Sequence, residues 1–240
     1  MAGPLARFAR RIREKTENNA APPVLIAALG DSVTQGCFAN GVMDFEAVYH
    51  HQWWKRLARR YPRCTFSVLN LGVGGQSAPA GLARFADQLL PHHPDLTLLG
   101  FALNDAGAGL RGLEAYRKTM DELMGRILGE AGSDLIVLTP NFIASRDNPR
   151  VHPDHRQLGY VEKLVPLQTG GVLARYAGVL RELAAARGAA VADVYALWES
   201  WEKGGMDPTD RLENGLNHPD REAHRAVADL LDSMMAELVP

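Results

Sequence analysis

Cysteine is nearly absent: Cys37 and Cys64 are the only two in 240 residues. Two cysteines cannot staple a small disulfide scaffold, so an apolar core has to hold the fold, and a reducing compartment is compatible. No pattern of Cys and His has the spacing of a zinc site, so no metal is expected. Long apolar runs are missing as well. None approaches the roughly 20 residues a membrane-spanning helix needs, and residues 1–19 lack the apolar stretch of a signal peptide. The expectation is a cytoplasmic protein with no stable membrane insertion. An excess of charge of one sign is also lacking. The formal net charge is -2, with both signs interspersed, which argues against nucleic acid or an anionic membrane as partner.

What is present is apolar material: 46% of residues are hydrophobic. That fraction in a chain of this length suits one globular domain. Residues 1–20 carry Arg7, Arg10, Arg11, Arg13 and Lys15 and read as a basic helix or arm. Residues 21–240 read as a single domain, with no repeat, linker or low-complexity tract.

Short apolar or β-branched runs bounded by Gly and Pro predict strands at Val24–Leu29, Cys64–Leu69, Asp95–Phe101, Asp134–Leu138 and Ala190–Val194. Helical spacing is found over Phe45–Tyr61, Ala80–Leu90, Leu113–Leu128, Val172–Arg187 and Pro219–Leu238. Residues 141–170 break this rhythm and read as a long loop, as does Gly204–His218. Five strands alternating with helices predict a parallel sheet covered on both faces, a three-layer α/β/α sandwich.

In such a sheet the carboxyl ends of the strands share one edge, where ligands bind. Several polar segments fall there. Strand one runs into Gly30-Asp31-Ser32, strand two into Asn70-Leu71-Gly72-Val73-Gly74-Gly75, and strand three into Asn104-Asp105. A hydroxyl, a glycine-rich backbone and a carboxamide are the parts acyl transfer needs: a nucleophile and donors for the developing oxyanion. The alternative reading of Ser32 is a capped strand-to-helix turn. Cys37, five residues on, either lines the site or fills a small buried space. A base is also required. His50, His51, His92 and His93 read as packed or solvated. His218 precedes Pro219, a residue suited to the first position of a helix, and so stands at a helix entrance near the sheet edge. His224, six residues later, reads as packed on that helix.

These segments resemble the motifs of the SGNH, or GDSL-type, hydrolases. Gly30-Asp31-Ser32-Val33-Thr34 is similar to the family's nucleophile motif and Asn70 to Gly75 to its second. Leu103-Asn104-Asp105 is similar to the end of the third, and Asn217-His218-Pro219 to the last. They occur in family order across nearly the whole chain. The resemblance implies a flavodoxin-like fold with a five-stranded parallel sheet and no cofactor. It implies Ser32 as nucleophile and oxyanion donor, the Gly75 N–H and the Asn104 side chain as further donors, and His218 as base. Asp31 and Asp105 would be structural. Two departures stand out. Ala102 replaces a usual glycine. Gly215 occupies the place, three residues before the histidine, where the family carries its triad acid. Either an acid within reach, Glu213, Asp210 or Asp207, replaces it, or a backbone carbonyl orients His218 in a dyad.

The expected activity is that of a serine esterase, with a short acyl ester, an acetylated carbohydrate or a lysolipid as small-molecule substrate. An acyltransferase built on the same site and a non-catalytic binding protein are the competing readings. A phosphate or flavin binder fits less well, because the first strand-end loop is poor in glycine. In the long loop, Arg146, Arg150, His152, His155 and Arg156 suggest contact with an anionic or hydroxyl-rich substrate. The competing reading is a solvated surface loop.

Overall fold

The computed structural model describes residues 3–39 and 41–235. Its centre is a wholly parallel sheet of five strands: β1 Val24–Gly30, β2 Phe66–Gly72, β3 Leu96–Gly100, β4 Asp134–Leu138 and β5 Ala190–Ala192. The strand order is β2-β1-β3-β4-β5. The order in which strands are added reverses at β1 and β3, so the crevice between them is the topological switch point where open α/β folds bind ligands. The first strand is buried along nearly all its length, as expected for a strand covered on both faces.

Ten α-helices accompany the sheet in the described residues. Helix α1 (Ala6–Glu17) buries Phe8 and Ile12 in the common core. Its Arg7 and Arg11 pair with Asp95, at the amino end of β3. The basic N-terminal segment is therefore docked across the foot of the sheet. Helix α2 (Ser32–Gln35) is a single turn after β1, and α3 (Tyr49–Arg60) carries the buried Trp53 and Leu57. Helix α4 (Ala78–Ala83) runs into a wide turn at Phe85–Leu89, and α5 (Leu113–Gly129) follows β3.

The segment after β4 corrects the sequence reading. Residues 141–170 contain two helices, α6 (Pro153–Gln157) and α7 (Tyr160–Thr169). Proline and glycine density suggested a loop, but Pro153 opens α6, where a missing N–H costs nothing. The His152 side chain accepts from Asp154 N as its cap. Pro166 lies inside α7.

Helix α8 (Val172–Arg187) packs against α5, α9 (Val194–Lys203) follows β5, and α10 (Arg221–Met235) packs against α3. Helices α4, α5 and α8 thus cover one face, and α3 and α10 the other. The end of the helix expected over Pro219–Leu238 lies, after Met235, outside the described residues. The first-helix expectation was too long: residues 45–48 precede α3, and Phe45 is exposed.

Candidate active site

Gly30, Gly72 and Gly100 stand in register at the carboxyl ends of β1, β2 and β3. The α2 turn lies directly on this row. A Cβ on Gly72 would come within 2.1 Å of Gln35 N, so only glycine lets the turn approach the sheet this closely. Asp31 caps the turn by accepting from Val33 N at 2.9 Å. Ser32 follows as its first residue, nearly buried.

The expected base, His218, reaches Ser32 from the far end of the chain. His218 Nε2 lies 3.0 Å from Ser32 Oγ, and His218 Nδ1 lies 3.0 Å from the Phe38 carbonyl. A carbonyl only accepts, so Nδ1 carries the proton and Nε2 presents its lone pair to the serine hydroxyl. Burial lowers the His218 pKa to about 4. The bond to Phe38 opposes that, and the nearby His155 adds to it.

Among the described residues no carboxylate takes the place beside Nδ1. Glu213 pairs with Arg221, whereas Asp210 and Asp207 both pair with Arg146. The orienting group is instead the hairpin around Phe38, closed by a bridge between Cys37 and Met43. Its ring lies between the His224 imidazole, 4.7 Å away, and the Arg221 guanidinium, 5.1 Å away. Arg221 also holds Asp44 at 2.8 Å, next to the hairpin. His224 is buried and accepts from Tyr49 N, so it packs behind the site.

The three expected N–H donors lie on Ser32, on the glycine loop beside it and on Asn104, which is bonded to that loop. Neither the Ser32 N–H nor the Gly75 N–H meets a protein acceptor among the described residues. Asn104 Nδ2 donates one hydrogen to Gln76 O at 2.8 Å and keeps a second. Around them the loop is tightly braced. Gly74 N donates to Gln35 Oε1, Asn70 Oδ1 accepts from Gly72 N, and Asp105 Oδ1 accepts from Ala78 N. Burial raises Asp31 to about 7, helped by the charge of Asp105, and raises Asp105 to about 6.

The five substrate residues expected in the long segment part company. Arg146 is spent on Asp207 and Asp210, Arg150 on the carbonyls of Asp210 and Leu212, and Arg156 on Asp147. None of these cations is free for an anionic substrate. His152 is occupied as the α6 cap. His155 differs: its charge is felt by His218, its ring lies 5.3 Å from Tyr160, and its Nδ1 is buried without a partner among the described residues. Among the described residues no cluster of three or more His, Cys, Asp or Glu side chains could hold a metal ion. Sequence reasoning named neither Phe38 nor Arg221. The backbone role of Phe38 leaves no side-chain signature, whereas Arg221 beside the histidine motif was a signal within reach.

The profile of the GDSL-like Lipase/Acylhydrolase family matches residues 28–226. No curated protein sequence matches the chain. Among solved structures, a lipase/acylhydrolase from Enterococcus faecalis aligns over 88% of this chain and 94% of its own. The identity is 21% and the TM-score 0.67. A two-domain esterase active on acetylated mannans, crystallised with mannopentaose, aligns over 99% of this chain and 54% of its own. Its identity is 18% and its TM-score 0.72. Axe2, an acetylxylan esterase from Geobacillus stearothermophilus, aligns over 90% of this chain and 96% of its own, at 18% identity and a TM-score of 0.67. At these identities the likeness is one of fold.

Proposed function

The chain belongs to the GDSL-like lipase and acylhydrolase family and is a hydrolase acting on esters, and from that premise we propose that it works through an acyl-Ser32 intermediate on short acyl esters of carbohydrates. One observation carries the mechanism: Ser32 Oγ, His218 Nε2, His218 Nδ1 and the Phe38 carbonyl form one continuous hydrogen-bonded line.

Ser32 Oγ attacks the ester carbonyl carbon while its proton passes to His218 Nε2. The carbonyl oxygen becomes an oxyanion facing the N–H groups of Ser32 and Gly75 and the second amide hydrogen of Asn104. One such donor is worth about 2.7–4 kcal/mol in the transition state. His218 then returns the proton to the leaving alcohol oxygen, whose bond to the carbonyl carbon breaks. A water enters, gives its proton to the same nitrogen and attacks the acyl carbon. The acid leaves, and Ser32 regains its proton.

The carbohydrate assignment is supported by the esterases of similar fold acting on acetylated mannans and on acetylxylan. It is also supported by the loss of every loop arginine to an internal partner, which leaves an uncharged alcohol as the fitting one. The rings of His155 and Tyr160, 5.3 Å apart, suit the face of a sugar ring. The test is acetate release from acetylated xylo-oligosaccharides and p-nitrophenyl esters of two to eight carbons. Wild type is expected to favour acetyl, a fluorophosphonate probe to label Ser32, and Ser32→Ala to be inactive. Full activity in Ser32→Ala overturns the nucleophile. Preference for the eight-carbon ester overturns the substrate class.

A further inference from the structure

A buried cation without a buried anion is expensive, and proteins keep one only where something repays it. Arg84, at the end of α4, is such a group. It is only 9% exposed and forms no ion pair among the described residues. Its three hydrogen bonds all go to neutral oxygens: Gln76 Oε1 at 2.8 Å, Gln88 Oε1 at 3.0 Å and the Gly30 carbonyl at 3.1 Å. Neither Asp31 nor Asp105, the buried carboxyl groups of the site, is a partner.

Those acceptors are telling. Gly30 lies two residues before Ser32, and its carbonyl also accepts from Val73 N at 3.1 Å. That joins the end of β1 to the glycine loop after β2. Gln76 follows Gly75, and its backbone carbonyl takes the amide hydrogen of Asn104. One guanidinium therefore bonds the segment before Ser32 and the residue after Gly75, whose carbonyl in turn takes the Asn104 amide hydrogen. Burial lowers the Arg84 pKa, yet a guanidinium stays charged at any working pH. The guanidinium touches the carbonyl two residues before Ser32 and the residue after Gly75, and a low-dielectric setting carries its field further than water would.

We propose that Arg84 is a positioning residue of the oxyanion hole: it fixes the Gly30 and Gln76 segments against each other and supplies the hole with an uncompensated positive charge. The inference rests on the acyl-Ser32 reading above. In it, Arg84 contributes more to the tetrahedral state than to the bound ester, because the full negative charge exists only in the former.

The test compares wild type, Arg84→Met and Gln76→Leu in kcat, KM, thermal melting and affinity for two inhibitors. One is a trifluoromethyl ketone, which forms a tetrahedral adduct with the serine. The other is the matching alcohol, which resembles the ground state. The expected result is a fall in kcat of about 10- to 100-fold, the scale of a misplaced catalytic group. KM stays within twofold, the ketone loses affinity in parallel with kcat, and the alcohol binds unchanged. Unchanged ketone affinity in folded Arg84→Met overturns the proposal, as does an equal loss for ketone and alcohol. Should Arg84→Met not fold, Gln76→Leu, which removes one guanidinium acceptor and leaves the Gln76 backbone in place, decides on the same readings. Ser32→Ala separates the two levels. Activity in Ser32→Ala overturns the nucleophile and this inference together. An inactive Ser32→Ala beside fully active Arg84→Met and Gln76→Leu overturns the role of Arg84 alone.

Discussion

A histidine held by a neutral carbonyl should stay a working base in acid, and pH is the perturbation that exposes this. Burial holds His218 at about 4, against about 6.5 for a free imidazole. The hydrogen bond to Phe38 offsets little of the lost solvation, and no carboxylate stabilises the imidazolium. At pH 5 an ordinary histidine is neutral in roughly 3% of molecules, and one with a pKa near 4 in roughly 90%. The free enzyme should therefore keep about thirty times more competent base at pH 5 than an ordinary histidine would allow. Because kcat/KM reports the free enzyme, its acid limb should have a midpoint near 4, with a plateau from about pH 5.5 upward. The assay is the initial rate of acetate release from pH 3.5 to 8 at constant ionic strength, with circular dichroism at each pH to confirm the folded state. A midpoint at 6.5 or above, in folded protein, refutes the reasoning, since it requires an anion at Nδ1. The same lowered pKa has a cost: His⁺ forms less readily in the transition state, by about 3 kcal/mol relative to a free imidazole.

Two further perturbations test the frame around this pair. Gly215→Asp, which writes the family's acid back into its usual place, should not raise kcat. Gly215 has φ +69, and a Cβ there would lie 2.5 Å from Asn148 Oδ1 and 3.0 Å from Val151 N. The variant should lose about 1–3 kcal/mol of stability to backbone strain, read by urea unfolding, and a faster enzyme would contradict this account. Asp31→Asn keeps an oxygen for the Val33 N–H but removes the titration. Asp31 is raised to about 7 when folded, so the folded state binds the extra proton. Its contribution is full below about pH 4, the unfolded value, and is lost as pH rises through 7. Unfolding measured at pH 5 and pH 8 should show wild type losing about 2.6 kcal/mol of stability relative to Asp31→Asn at the higher pH. Parallel curves would exclude a raised Asp31.

The parts of this molecule that sequence made legible are those written in side-chain type and period. Apolar runs ending in glycine marked the strands, and the polar residues beyond them marked the edge of the sheet. Ser32 and His218, 186 positions apart, were selected on those grounds and lie 3.0 Å apart. Other features have no such script. The Phe38 carbonyl is a backbone atom, so any residue type offers the same acceptor. The search for an acid looked for a carboxylate in Glu213, Asp210 and Asp207, where the structure uses these groups to hold Arg221 and Arg146. Arg146 read as a substrate ligand because a cation in a polar loop looks free until its partners, about sixty residues away, are seen. Helices α6 and α7 were hidden by prolines that elsewhere end helices: Pro153 stands at the first position of α6, where it costs nothing, and Pro166 lies inside α7.

Gly215 explains why the carbonyl has the role at all. The segment after β4 is stitched to the segment before His218 by Asn148 Nδ2 to Gly215 O at 2.6 Å, Ala144 N to Leu216 O at 2.7 Å and Asn141 Nδ2 to Asn217 O at 3.0 Å. That seam leaves no room for a side chain at Gly215. It fixes the histidine's backbone from one side, while the Phe38 hairpin, held by Arg221 and Asp44, fixes its ring from the other. The function of a triad acid divides into orientation and charge. Here orientation is supplied by this packing, and charge at the histidine is not supplied at all. On the proposed acyl-Ser32 mechanism the electrostatic work then falls on the opposite pole, at the developing oxyanion, which is where Arg84 is proposed to act.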